Sequence, residues 1–182
     1  MRDFAANLLG AVGLAVADRI EVAARQTLHH AGETPAALVV IGYGFGPSND
    51  RLRQVLGLSH PGTVRLVDRL AADGLVERRS GQDRRAVALY LTAQGMAMRE
   101  ELLQGRLAAL RPLIAPLSDS EQETLAGLLA KVLHAIAPDD HARCNLCRLC
   151  DDRACTACPI PASFRDGPAD SLTPPPAAVT PP

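Results

Sequence analysis

All five cysteines of the 182-residue chain fall within fifteen residues near its carboxyl end. They follow the pattern C-x2-C-x2-C-x4-C-x2-C-P and are Cys144, Cys147, Cys150, Cys155 and Cys158. A spacing of two residues between cysteines allows two thiolates to reach one metal ion. Clustering of this density therefore indicates metal ligation or thiol chemistry.

Three kinds of chemistry fit this cluster. The last four cysteines form two C-x2-C pairs, which could complete a tetrahedral zinc site. The C-x2-C-x2-C run with a later Cys-Pro is close to bacterial ferredoxin spacing and predicts an iron–sulfur cluster, although the x4 gap departs from that motif. The third alternative is redox-active thiols, because Arg143, Arg148 and Arg153 lie among the cysteines and favour the thiolate form.

A second set of chemically distinctive residues is basic. Residues 48–92 contain eight arginines and five acidic residues, a local charge of +3 in a chain whose formal net charge is −1. A basic segment in a mildly acidic protein is typical of a nucleic-acid-binding protein whose other surfaces do not attract the phosphate backbone. The guanidinium group suits both phosphate and guanine, so this segment is the candidate nucleic-acid interface.

The elements that would position these arginines are two short helices. Residues 50–56 predict the first, ended by Gly57, and Ser59 is a good N-cap for the second, with Pro61 in its first turn. The buried stripe of the second helix is predicted to be Thr63, Leu66, Val67 and Leu70. Its remaining face carries His60, Gly62, Val64, Arg65, Asp68 and Arg69. Two helices joined by so short a turn indicate a helix-turn-helix.

A hairpin is predicted directly after these helices. Residues 75–79 and 86–91 alternate as strands do, and the polar SGQDRR loop lies between them. The loop tip carries Asp83, Arg84 and Arg85. Arginine suits a narrow minor groove, where the negative potential is enhanced, so the hairpin is predicted to be a DNA-contacting wing.

Together these segments resemble the MarR family of bacterial transcriptional regulators. The resemblance is carried by LGLS at 56–59, RLVDRL at 65–70, GLV at 74–76, Asp83 with Arg85, and the LT-x-x-G motif that ends at Gly95. It implies an obligate homodimer that binds a pseudo-palindromic operator in double-stranded DNA, usually as a repressor released by a ligand or oxidant. It also implies that Ser59, His60 and Arg65 contact bases or phosphates. In the same way it implies that Arg85 enters the minor groove, oriented by Asp83.

The predicted fold class is therefore mainly α with a small β-wing, a winged helix-turn-helix with N- and C-terminal dimerisation helices. The leucine-rich amphipathic patterns on both sides of the winged segment predict those helices. The predicted organisation is a dimerisation helix at 1–33, the DNA-binding domain at 34–92, dimerisation helices at 93–138, the cysteine-rich motif at 139–162 and a disordered Pro-rich tail at 163–182. The CRLCD-x-x-AC…CP segment also resembles the tail of a subset of MarR-like regulators.

Three further expectations concern location and ligands. Residues 1–17 imitate a signal peptide, but the helical pattern continues past the apparent cleavage site, which favours a cytoplasmic protein with no membrane partner. Tyr43 and Phe45, in a glycine-rich loop, could line a pocket for a small-molecule effector, or pack under the loop. No catalytic constellation is visible, so the chain is predicted not to be an enzyme. The alternative function is a small iron–sulfur or redox electron carrier.

Overall fold

The computed structural model describes residues 2–28, 32–80, 87–137, 140–151, 153–154 and 158–160. In chain order the elements are α1 (Arg2–Thr27), α2 (Thr34–Ile41), α3 (Asn49–Leu56), α4 (His60–Ala72), β1 (Val76–Ser80), β2 (Val87–Leu91), α5 (Ala93–Ile114), α6 (Asp119–Ile136) and α7 (Asp140–Cys147). Within these residues the chain is mainly helical with one two-stranded antiparallel sheet. The predicted fold class is confirmed.

The helix-turn-helix consists of α3 and α4, and each begins at a serine. Ser48 Oγ accepts a hydrogen bond from the N–H of Arg51 at 3.1 Å, and Ser59 Oγ accepts one in the same way at 3.2 Å. Each bond satisfies a backbone donor that the first turn of a helix leaves unpaired. Gly57 ends α3 with a φ of 66°, a left-handed conformation that costs least without a Cβ. The buried residues of α4 are those predicted, Thr63, Leu66, Val67 and Leu70.

The wing is formed by β1 and β2, paired from Val76 opposite Leu91 to Ser80 opposite Val87. The strands expected from alternation at 75–79 and 86–91 agree with this ladder to within a residue, and residues 81–86 lie outside the described part of the chain. The N–H of Leu89 also donates to the carbonyl of Pro47 at 3.0 Å. Because of this bond, β2 is tied to the segment that leads into α3.

Thr92 joins the wing to α5. Its hydroxyl donates to the carbonyl of Gly74 at 2.6 Å and accepts from the N–H of Gly95 at 3.0 Å. A Cβ at Gly95 would lie 2.0 Å from the carbonyl oxygen of Leu75. The LT-x-x-G motif therefore has a packing role, since only glycine lets α5 begin this close to the turn between α4 and β1.

Helix α2 lies inside the core, as its apolar composition predicts. All eight of its residues are buried, and the core around it includes residues of α3, α4, the wing and α5. Glu33 occupies the N-cap position, while Thr34 is the first helical residue and Pro35 follows it. Thr34 is fully buried, so packing places it in the helix although its side chain favours a cap.

Helices α1 and α6 leave apolar side chains exposed. The carboxyl half of α1 packs on α5, but residues 2–15 are all exposed, including Phe4 at 68% and Leu14 at 71%. Helix α6 has no buried residue, and its exposed side chains include Leu128, Leu129, Val132 and Ile136. In the described part of the chain, no helix combines the length and apolar character that crossing a membrane requires.

Helix α7 was not anticipated from the sequence. It packs against α3, and its Cys144 and Cys147 are each 1% exposed and belong to the same hydrophobic core as α2, α3 and α4. Cysteines three residues apart lie on one face of a helix, which explains how both enter the core. The cysteine-rich segment is therefore packed against the winged helix-turn-helix.

Candidate nucleic-acid interface

The first turns of α4 present a polar face to solvent. His60, Arg65 and Arg69 are exposed, and Gly62 and Val64 are half-buried. Arg65 and Arg69 are four residues apart, so both guanidinium groups lie on one side of the helix. The opposite side is the buried stripe that holds α4 against the core. A helix fixed by its apolar side with its charged side open can enter a major groove.

Ser59 combines a structural role with the predicted contact role. Its side chain is the N-cap of α4, because Oγ accepts the N–H of Gly62 at 3.2 Å. A hydroxyl that accepts one hydrogen bond keeps its own hydrogen as a donor, and Ser59 is exposed. A Cβ at Gly62 would lie 3.1 Å from this Oγ, so the glycine protects the cap.

An ion pair connects α4 to the wing. Arg78 Nη2 lies 2.5 Å from Asp68 Oδ1, and Arg79, which pairs with Glu77, lies with its guanidinium carbon 4.8 Å from the centre of the Tyr90 ring. No pattern in the sequence indicates the pairing of Arg78 with Asp68. The outward position of Asp68 was visible in the helical pattern, but the partner ten residues later depends on how the wing folds back.

The predicted tip of the wing, Asp83, Arg84 and Arg85, lies outside the described residues. The two strand ends that carry it are described: Ser80 pairs with Val87, and both are exposed. The insertion of Arg85 into a minor groove stays a prediction.

The predicted metal ligands are only partly described. Cys144 and Cys147 are buried and Cys150 and Cys158 are half-buried, while Cys155 lies outside the described residues. Among the side chains that the structure does describe, no three cysteines, histidines or carboxylates are arranged to hold a metal ion. A zinc or iron–sulfur site at these positions stays a prediction, and it would need Cys155 or a rearrangement.

The residues after α7 carry a buried carboxylate, that of Asp151. Burial raises the pKa of this carboxyl, but hydrogen bonds from the side chain and the N–H of Arg153, together with the charges of Arg153 and Arg99, lower the pKa below its ordinary value. Arg153 also pairs with Glu100 of α5 at 2.7 Å. The charged form of Asp151 is therefore a stable part of this segment.

The pocket expected at Tyr43 and Phe45 stays a prediction. Both aromatic side chains pack against the core, which agrees with the alternative of packing under the loop. A cavity of about 500 Å³ lies between α1, α2 and the residues after α7. Its lining includes Glu21, Arg25, Glu33 and Arg148 and neither aromatic residue. A small-molecule effector stays a prediction.

Comparisons with known proteins agree with this arrangement. The family model described as MarR family matches residues 35–86. Apo wild-type MarR from E. coli is 28% identical, with a TM-score of 0.56 over 69% of this chain and 96% of that chain. YusO from Bacillus subtilis is 21% identical, with a TM-score of 0.62 over 74% and 95%. MepR, a transcription regulator of the Staphylococcus aureus multidrug efflux pump MepA, is 18% identical, with a TM-score of 0.60 over 71% and 96%.

Proposed function

This chain belongs to the MarR family through its winged helix-turn-helix, and we propose that it is a homodimeric, sequence-specific DNA-binding repressor. MarR-family proteins are DNA-binding regulators and not enzymes. The proposed partner is double-stranded DNA with a pseudo-palindromic operator, one α4 helix entering the major groove at each half-site. The proposed location is the cytoplasm.

The observation that carries this proposal is the open, arginine-bearing side of α4. Arg65 and Arg69 are exposed on the side opposite the buried stripe. The pair between Asp68 and Arg78 holds α4 and the stem of the wing together, so helix and hairpin can approach a duplex as one unit. Most of the binding free energy would come from phosphate contacts, which makes the affinity fall steeply with salt.

The exposed apolar sides of α1 and α6 support the proposal of a dimer. Exposed apolar patches of this kind are typical of protein interfaces, and a second copy of this chain would cover both. In a symmetric pair the two α4 helices would lie about 34–36 Å apart, the distance of one turn of DNA.

The test starts from a duplex recovered by in vitro selection from a randomised pool. Its affinity is measured by fluorescence anisotropy, and we expect a loss of about a thousandfold between roughly 50 and 200 mM salt. Arg65→Ala is expected to weaken binding by about 10- to 100-fold. The matched control is Arg111→Ala, which removes one exposed arginine from α5 and should bind as the wild type does. Failure to recover any duplex at low salt would overturn the proposal.

We propose further that the cysteine cluster provides the signal, through metal binding or thiol oxidation. The proposal is supported by Cys144 and Cys147, which are buried in the same core as residues of α3 and α4. Operator affinity is measured with and without diamide as oxidant, and with and without a metal chelator. If Cys147→Ser/Cys150→Ser keeps its fold and still responds as the wild type does, these two cysteines are not the sensor. The same outcome with all five cysteines replaced by serine overturns the proposal. Metal analysis and an absorption spectrum would distinguish zinc from an iron–sulfur cluster.

The alternative function, a small electron carrier, is not favoured. The family match covers the DNA-binding segment and leaves the cysteines outside it, so a carrier role would rest on the cysteine spacing alone. A coloured, oxygen-sensitive protein that binds no DNA would support that alternative.

A further inference from the structure

The cysteine segment is held at its centre by one hydroxyl group. Oη of Tyr43 lies 3.1 and 2.9 Å from the carbonyl oxygens of Cys147 and Cys150, and its single hydrogen is shared between them. Cys147 is the last residue of α7, and its carbonyl also accepts the N–H of Cys150 at 2.9 Å. Tyr43 therefore fastens the end of α7 to the loop that follows α2.

A second attachment joins the segment directly to the helix-turn-helix. Nη2 of Arg51, in α3, lies 3.3 Å from Sγ of Cys144 and donates to it. This sulfur belongs to the core, so a bulky group added to it would need the space that α3 and Arg51 occupy. A bulky group on Sγ of Cys144 is therefore incompatible with the present position of α7.

A third attachment joins the segment to α5. Arg99 lies with its guanidinium carbon 5.3 Å from the centre of the Tyr43 ring, and it is buried near Asp151, whose carboxylate its charge stabilises. Arg153 reaches Glu100 at 2.7 Å. Helix α5 leads out of the DNA-binding domain, so one segment contacts both the start of the helix-turn-helix and the helix that leaves it.

From these three attachments we infer that α7, together with residues 148–151 and Arg153, forms a brace between α3 and α5, in which Tyr43 acts as a positioning residue, and that unseating this brace weakens DNA binding within the same subunit. The inference rests on the proposed function. It states how a change at the cysteines would affect the DNA-binding helices. With the brace seated, α3 and therefore α4 are held in one orientation relative to α5. When the brace is unseated, the orientation of α4 relative to α5 must be fixed during DNA binding. This requirement lowers the apparent affinity for DNA.

The test uses the reactivity of the Cys144 thiol to measure how often the brace leaves its position against α3 and α5. The full-length protein is treated with N-ethylmaleimide, and the modification rate of Cys144 is followed by mass spectrometry of its peptide. A buried thiol reacts through transient opening, so the rate reports the open population. We expect Tyr43→Phe to raise this rate about fivefold, the size of one net hydrogen bond. The matched control is Tyr90→Phe, which removes a hydroxyl from the wing and should leave the rate unchanged.

DNA supplies the second arm of the test. Because coupling between two equilibria is reciprocal, adding the selected duplex should slow the modification of Cys144 in the wild type. The same duplex should also slow the modification of Cys144 in Tyr43→Phe, because it favours the seated state in both proteins. A protein that binds DNA but shows neither effect overturns the brace and leaves the proposed function standing. A protein that binds no duplex overturns the proposed function, while the rates without DNA still decide whether Tyr43 holds the segment.

Discussion

At the scale of single residues, several motif positions serve packing as well as DNA contact. Ser59 caps α4 and is exposed at the candidate interface. Thr92 and Gly95 fix the start of α5 against the carbonyls of Gly74 and Leu75. The residues that carry the family resemblance therefore include some whose replacement affects folding and some whose replacement affects binding.

Gly95→Ala is expected to destabilise the protein by about 1–3 kcal/mol, the usual cost of overpacking. The reason is the 2.0 Å approach of a Cβ to the backbone oxygen of Leu75, which no side-chain movement relieves. The measurement is urea unfolding followed by circular dichroism. Gly105→Ala, in the same helix, is the control, because its Cβ would meet Thr27 at an ordinary 3.6 Å. Equal midpoints for the two variants would contradict this account.

Substitutions at Ser59 should separate capping from DNA binding. Ser59→Asp keeps a capping acceptor, so its unfolding midpoint should stay near the wild-type value. The added negative charge faces phosphate, so its operator affinity should fall about tenfold or more. Ser59→Ala should instead lose about 1 kcal/mol of stability. Wild-type affinity in a folded Ser59→Asp protein would show that this position does not approach DNA.

At the scale of elements, helix starts are set by local hydrogen bonds. Helix α6 packs little against the rest of its own chain and buries no residue, so its ends matter more than those of a core helix. Its first turn has a capping box: Glu121 Oε2 accepts the N–H of Ser118 at 2.8 Å and the hydroxyl of the same residue at 2.8 Å. These hydrogen bonds stabilise the start of α6, which has little tertiary packing to stabilise it.

The capping box makes part of the helicity of α6 depend on pH. The backbone hydrogen bond from Ser118, and then its side-chain hydrogen bond, lower the pKa of Glu121 below its ordinary value. A carboxyl with a lowered folded-state pKa stabilises the fold above its unfolded pKa, and this contribution is lost as pH falls through the folded value. The wild type should therefore exceed Glu121→Ala in thermal midpoint at pH 7, and the difference should vanish in strong acid. A constant difference at all pH values would show that the charge is not involved.

At the scale of the whole molecule, a single chain leaves apolar surface exposed on two helices, α1 and α6. The amino half of α1 and most of α6 lie outside the core, with Phe4, Leu8 and Val12 exposed on the first helix and Leu128 and Leu129 on the second. Burying such side chains contributes about 25 cal/mol per Å² of apolar surface. The proposed second copy would therefore stabilise helices that the single chain does not hold.

Leu128→Glu is expected to shift the protein from dimer to monomer, because it places a charge within an apolar face that the proposed interface would desolvate. The measurement is sedimentation equilibrium over a range of protein concentrations. The control is His134→Glu, which adds the same charge to an exposed residue of α6 turned about 120° from Leu128 and about 140° from Leu129. A Leu128→Glu protein that stays dimeric, or a monomeric wild type, would contradict the proposed interface.

The sequence by itself determined the helix-turn-helix with the bounds of α3 and α4, and the stem of the wing. These depend on caps, left-handed glycines and periodic apolar residues within a few positions of one another, such as Ser48 with Arg51. The wing tip and the identity of any metal remain predictions.

Only the tertiary structure decided where the cysteines lie. The contacts of Tyr43 with Cys147 and Cys150 join residues 104 and 107 positions apart, and the contact of Arg51 with Cys144 spans 93. No local pattern encodes such pairs, because they depend on how the chain returns after α6. The spacing of the cysteines indicated their chemistry, whereas packing against α3 and α5 placed that chemistry beside the DNA-binding domain.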